Sequence, residues 1–169
     1  MRNLLYTFLL CIFSMSTALA QSGLTVNPGT TINISGTQTD SDVVGEATIY
    51  NNTGQDITLV WERQTNTLSN GWQSLVCDNI TCWGPNKNNN SLSVPAGGSS
   101  IMNIHFKPNG TPGSGTVIIH AYSQADPTTA IDITYNAQVS ATSIQQTNAI
   151  SQMRFYPIPA SSNLNITFG

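Results

Sequence analysis

Thr48-Ile49-Tyr50-Asn51-Asn52-Thr53-Gly54-Gln55-Asp56-Ile57-Thr58-Leu59-Val60-Trp61 carries the clearest structural signal in this chain of 169 residues. Ile57, Leu59 and Trp61 recur at every second position, which places all three on one face of an extended segment. Thr48, Ile49 and Tyr50 are β-branched or aromatic and suit a pleated surface. Between the two runs, Asn51 to Asp56 has the composition of a turn, with Gly54 near its centre. The segments Val44–Tyr50 and Ile57–Arg63 therefore read as neighbouring strands joined by a polar connection.

The same period continues on either side. In Ser99–Lys107, Met102, Ile104 and Phe106 form an apolar face, while Ile101, Asn103 and His105 form a mixed one, as expected of a half-buried strand. Pro108 to Gly115 is dense in turn residues and interrupts any strand. Val117–Tyr122 and Ile131–Tyr135 resume the pattern across a turn at Ala125-Asp126-Pro127, and Leu24–Val26, Thr31–Ser35 and Trp72–Val76 are weaker candidates. No window shows a helical period. About eight short strands with turn signals about 8 to 15 residues apart predict an antiparallel sandwich, since a parallel sheet needs helices between its strands. Trp61, inward-facing and central, suits the core of an immunoglobulin-like β-sandwich spanning residues 22–140.

Composition narrows the function classes. Charged residues are 8% of the chain and the formal net charge is −3, against about 25% charged in an ordinary soluble domain. A basic nucleic-acid-binding surface is excluded on that ground. Hydrophobic residues make up 39%, enough to build a core. His105 and His120 are the two histidines; a solvated or structural strand position is expected for each, and a weak metal site would require them to be cross-strand neighbours. No nucleophile-elbow motif is present, and Gly97-Gly98 and Gly110 to Gly115 lack the Lys-Ser/Thr ending of a phosphate loop. The reading is a non-catalytic protein with no cofactor and no metal.

The beginning of the chain is an address. Met1-Arg2-Asn3 is short and basic, and Leu4 to Phe13 is almost continuously apolar. Ala18 and Ala20 are small at the positions read by a signal peptidase, with cleavage expected before Gln21. These are the three regions of a secretory signal peptide, residues 1–20. An apolar run of about ten residues is too short for a bilayer that needs roughly 20. Cys11 belongs to that run as one more apolar residue.

Cleavage would leave Cys77 and Cys82. In an oxidising compartment an isolated C-x4-C pair is read as a disulfide, and the model of chain entropy assigns roughly 2 kcal/mol to so short a loop. The alternative is half of a metal site, but no His or third Cys lies nearby in sequence. Trp72 and Trp83 flank this loop together with Asn79, Asn86 and further amides. Exposed indoles among amides form a sugar-binding surface, because the rings stack on pyranoses while amides bond hydroxyls. The competing reading is structural, with Trp72 packed inward and Trp83 covering the disulfide.

From Ala141 to Ser151 the alternation dissolves into an uncharged linker, and residues 152–169 begin something new. Pro157 and Pro159 enforce an extended entry. Leu164, Ile166 and Phe168 then alternate as a strand for which the sequence offers no partner. The run Phe155-Tyr156-Pro157-Ile158-Pro159-Ala160-Ser161-Ser162-Asn163-Leu164-Asn165-Ile166 resembles the opening of the C-terminal (type A) sorting domain of type IX secretion in the Bacteroidetes group. Tyr156, Pro157, Pro159 and Ala160 match its motif, and Ile158 stands where Asn is usual. The preceding domain is similar to the sandwich modules found before such tails, in Asn52-Thr53-Gly54 before Trp61-Glu62, in Val76-Cys77-Asp78 with Cys82, and in Phe106-Lys107-Pro108-Asn109-Gly110 with Gly113.

The resemblance implies two-step export: the signal peptide crosses the inner membrane, and an outer-membrane translocon recognises the tail, often cleaves it, and anchors or releases the product. Such tails continue through glycine- and lysine-rich motifs not contained in this sequence, so residues 152–169 read as an N-terminal fragment of a sorting domain. A protein without the remainder would stay in the periplasm. The expectation is a secreted or cell-surface sandwich binding a polysaccharide or protein, with a structural component that pairs edge strands with another chain as the alternative.

Overall fold

The computed structural model describes residues 23–142 and the backbone of two strands, 154–156 and 165–167. The signal-peptide residues Ala18, Ala20 and Gln21 and the tail residues Pro157, Pro159 and Ala160 lie outside the described residues. The described chain is all β, and its main body is an immunoglobulin-like sandwich.

One layer is a five-stranded sheet, in spatial order β2 (Thr31–Thr37), β12 (Asp126–Ser140), β11 (Gly113–Ser123), β5 (Ile57–Leu68) and β8 (Asn89–Val94). The other layer consists of two groups. β1 (Leu24–Asn27), β4 (Thr48–Asn51) and β9 (Ser99–Ile101) form the first, while β3 (Val43–Gly45), β10 (Asn103–Lys107), β6 (Gln73–Cys77) and β7 (Cys82–Trp83) form the second. These two groups are halves of one ribbon. Val43 faces Phe106 and Gly45 faces Ile104; past the break Thr48 faces Ile101, so pairing resumes without gaining or losing a residue. At the break the Met102 N–H donates to the Ala47 carbonyl at 2.8 Å, and Asn103 Oδ1 accepts the Ala47 N–H at 3.1 Å. The backbone groups freed by the kink are thereby satisfied, as burial demands.

Alternation along the strands fills the space between the layers. Leu59, Trp61, Val117, Ile119, Ala121, Ile133 and Tyr135 from one sheet meet Ile49, Val76, Met102, Ile104 and Phe106 from the other, none more than 1% exposed. Full burial of a large apolar side chain contributes about 1.5–3 kcal/mol, so this cluster is the main source of stability. Tyr135 also ties the layers together, because its hydroxyl donates to the Met102 carbonyl at the kink. Burial raises the Tyr135 pKa strongly, which keeps that donor protonated.

Two sequence expectations are corrected and one is refined. β4 and β5 are not neighbours: they belong to opposite sheets, and Asn51–Asp56 is an arch between layers. The cause is Asn51, fully buried, whose Nδ2 reaches the carbonyls of Gln55, Pro95 and Val94 at 2.7, 2.9 and 3.1 Å. Its Oδ1 accepts from the Thr53 N–H and hydroxyl at 3.0 and 2.7 Å. The side chain thus closes the arch where a hairpin would use backbone pairing. Secondly, the sandwich is antiparallel except at one edge, where β2 runs parallel to β12, Ile32 beside Tyr135. Thirdly, the strand expected near the chain end has a partner: β13 (Arg154–Tyr156) pairs antiparallel with β14 (Asn165–Thr167), Phe155 opposite Ile166.

Candidate functional site

Two buried charges of opposite sign shape the connection from β6 to β8. Cys77 and Cys82 are directly opposed on β6 and β7 and form a disulfide. Inside the loop they close, Asp78 is only 4% exposed. Its Oδ2 accepts the indole N–H of Trp61 and of Trp83, each at 2.9 Å, and Asn90 Nδ2 at 3.2 Å. Its Oδ1 accepts the backbone N–H groups of Ile80 and Thr81 at 2.8 and 3.2 Å. Burial works to raise the Asp78 pKa, but the hydrogen bonds from Trp61, Trp83, Ile80 and Asn90 outweigh it and hold the carboxyl below its ordinary value.

Arg63 lies two residues beyond Trp61 on the same inward face of β5 and is 7% exposed. Its guanidinium meets neutral acceptors: the Ser74 carbonyl and hydroxyl at 3.1 and 2.9 Å, the Lys87 carbonyl at 2.9 Å, Asn88 Oδ1 at 2.8 Å and the Pro85 carbonyl. Burial lowers its pKa, yet guanidinium remains protonated at any physiological pH. Arg63 thereby fastens residues 85–88 to the sheet. Neither Asp78 nor Arg63 stood out in the sequence as a site residue. A signal existed for Arg63, since the alternation through Ile57, Leu59 and Trp61 places it inward.

The residues expected to bind a ligand are placed as follows. Trp72 is 6% exposed; it packs edge-on against Phe106 and donates to the Thr111 carbonyl at 2.9 Å. It presents no ring face to a ligand. Trp83 is half-buried, its N–H is held by Asp78, and Lys87 Nζ sits 5.2 Å from its ring centroid in a cation–π arrangement. Asn79 is exposed but committed to β9: Nδ2 donates to the Ser99 carbonyl at 3.0 Å and Oδ1 accepts the Ile101 N–H at 3.0 Å. Asn86 is exposed in the connection between β7 and β8. The structure does not bring these four together as one surface, and Tyr156 closes strand β13, away from their elements in the chain.

A different grouping emerges on the outer face of the five-stranded sheet. Asn89, Glu62, His120 and Asp132 stand opposite one another in register across β8, β5, β11 and β12. The Tyr122 hydroxyl donates to Glu62 Oε1 at 2.9 Å, and that hydrogen bond is the leading reason its pKa is raised. His120 Nδ1 lies 2.6 Å from Asp132 Oδ1, and its ring tilts against Tyr122 with centroids 5.4 Å apart. At the β8 end the row opens into a shallow groove that also includes Lys87, Ser91 and Gln124. Carboxylates, amides, a cation and a phenol ring edge thus line one continuous surface.

His105 lies on the opposite sheet from His120, so the two are not cross-strand neighbours. On the outer face of β10, His105 Nδ1 and Lys107 Nζ each sit 2.8 Å from Asp42 Oδ2. Burial works to raise the Asp42 pKa, while the hydrogen bonds from Lys107 and His105 and their charge bring it below its ordinary value.

No protein-family model matches the chain, and comparison with curated proteins finds no relative. Among solved structures, the N-terminal domain of PorA is similar, with a TM-score of 0.54 at 13% identity, covering 69% of this chain and 96% of that domain. A family 123 glycoside hydrolase from Clostridium perfringens matches over 69% of this chain and 27% of its own, at 13% identity and TM-score 0.47. A PapD-like domain of human CEP192 matches over 72% of this chain and 88% of its own, at 12% identity and TM-score 0.45. What this chain shares with the PorA domain is the fold alone. Among the described residues no helix is long and apolar enough to cross a membrane.

Proposed function

We propose that this protein is a non-catalytic binding module working outside the cytoplasm, which recognises a polysaccharide or a protein through the outer face of its five-stranded sheet. The observation that carries the reading is the in-register row Asn89, Glu62, His120 and Asp132 with Tyr122 beside it. Sugar hydroxyls need several donors and acceptors at fixed spacing, and a β-sheet supplies that spacing without further ordering. Tyr122 and His120 add ring surface at the same place. The signal-peptide pattern, the disulfide and the Tyr156, Pro157, Pro159 and Ala160 motif support export, with delivery to the surface or medium through the type IX translocon.

The test is affinity electrophoresis of the full chain against a panel of soluble polysaccharides, repeated with Tyr122→Ala and Glu62→Gln. Retardation by at least one polysaccharide, weakened about tenfold or more in both variants, is the expected result; a tenfold loss corresponds to about 1.4 kcal/mol. Retardation unchanged in both variants would move the site elsewhere. A second reading rests on β2, which is paired on one side only and exposes Thr31, Asn33 and Ser35. No retardation, together with concentration-dependent oligomers in sedimentation, would favour edge-strand assembly.

A further inference from the structure

We infer that the Cys77–Cys82 pair, when reduced, forms with His105 a three-ligand site for a thiophilic divalent ion of the Zn2+ class, so that disulfide and metal are alternative occupants of one place. In the chain the pair lies far from any histidine, but the register of β10 on β6 sets Asn103 opposite Cys77 and His105 opposite Leu75. Cys77 and His105 therefore project from the same side of the sheet. The two sulfurs and a ring nitrogen of His105 all lie within 4.8 Å of one another. A tetrahedral zinc ion, about 2.3 Å from sulfur and about 2.0–2.1 Å from nitrogen, holds its ligand atoms at mutual distances shorter than that limit, within reach of small side-chain rotations.

Two further features belong to such a site. His105 Nδ1 meets Asp42 Oδ2 at 2.8 Å, so ligation through Nε2 would leave that hydrogen bond in place. A carboxylate on the far nitrogen of a metal-binding imidazole fixes its tautomer and raises its basicity. Cys77 is buried, Cys82 is exposed and His105 is half-buried, so an ion can enter from solvent and keep one coordination position open.

The chemistry balances with an external dithiol as reductant. Exchange passes two electrons and two protons to the Cys77–Cys82 disulfide, giving two thiols while the dithiol becomes a disulfide. Binding Zn2+ then releases those two protons as both sulfurs ligate as thiolates. Lys107 is the other charged group on Asp42; it competes for that carboxylate without touching the sulfurs.

The experiment uses the full chain carrying Cys11→Ser, so that Cys77 and Cys82 are the two remaining thiols. It is reduced, freed of reductant without oxygen, and titrated with Co2+ as a spectroscopic stand-in for Zn2+. The expected result is a thiolate-to-cobalt charge-transfer band saturating at one ion per chain, bleached by Zn2+ and absent from the oxidised protein. His105→Gln should weaken binding at least tenfold, and Asp42→Asn about 10- to 100-fold. Zn2+ should also slow re-formation of the disulfide in air. Absence of the band, or equal affinity in His105→Gln with circular dichroism showing its sheet intact, would overturn the inference. Because the polysaccharide-binding variants lie on the other sheet, failure here leaves that reading untouched.

Discussion

Asp78 is a carboxylate surrounded only by donors, and that fixes what its replacement does. In Asp78→Asn, one amide end becomes a donor facing the N–H groups of Trp61, Trp83 and Asn90 or of Ile80 and Thr81. A buried donor without an acceptor costs about 1–3 kcal/mol, so a loss of about 3 kcal/mol is expected at pH 7, read from urea unfolding. Folding lowers the Asp78 pKa. Its contribution is therefore complete above the unfolded value of about 3.9 and is lost as pH falls through the lower folded value. The stability gap between parent and variant should hold from pH 7 to about 5 and close in acid; Asp42 titrates in the same range in both proteins and cancels. A gap that persists in acid would mean the cost is steric. Little of this was legible beforehand: Asp78 is flanked by the cysteines in sequence, but its partners Trp61 and Asn90 come from separate strands. Arg63 was legible in facing only, because alternation fixes direction and says nothing of the carbonyls that await it.

At the scale of the elements, the β3 to β4 ribbon passes beneath Tyr135, and Gly45 makes room for it. A Cβ built there would lie 2.7 Å from Tyr135 Cδ1 and 2.8 Å from Ile34 Cδ1. The isoleucine tip can turn away, but Tyr135 is held by its hydroxyl on the Met102 carbonyl. Gly45→Ala should therefore destabilise by about 1–3 kcal/mol, and calorimetry should show Tm lowered by about 4–12 °C, at about 4 °C per kcal/mol for a domain of this size. An unchanged Tm would show that β12 shifts freely over β3. The strands themselves were readable, since Ile57, Leu59 and Trp61, or Met102, Ile104 and Phe106, declare a buried face by period alone. Their partners were not. The Asn51 arch looks like a hairpin turn by composition, and β2 carries no mark of the parallel pairing it makes with β12.

For the whole molecule, the disulfide is a local clamp on a domain held by its core. Its partners are five residues apart, and a loop this short is worth about 2 kcal/mol. The paired replacement Cys77→Ala with Cys82→Ala should lower stability by about 2 kcal/mol or less, because Asp78 and Asn79 already restrain the loop, with the β-sheet circular dichroism unchanged. Collapse of that spectrum would make the bond a condition of folding. The sandwich class was legible from residue order, whereas the row proposed for binding was not: Glu62, His120 and Asp132 are scattered in sequence and meet only through register. The kinked ribbon also bears on how this domain tolerates changes of length. Pairing on both sides of the Ala47–Met102 break keeps one count, so inserting or deleting one residue between Val43 and Asn51 would turn one half of the ribbon inside out. Changes of length are therefore confined to connections outside the ribbon, and within it residues can be exchanged only one for one.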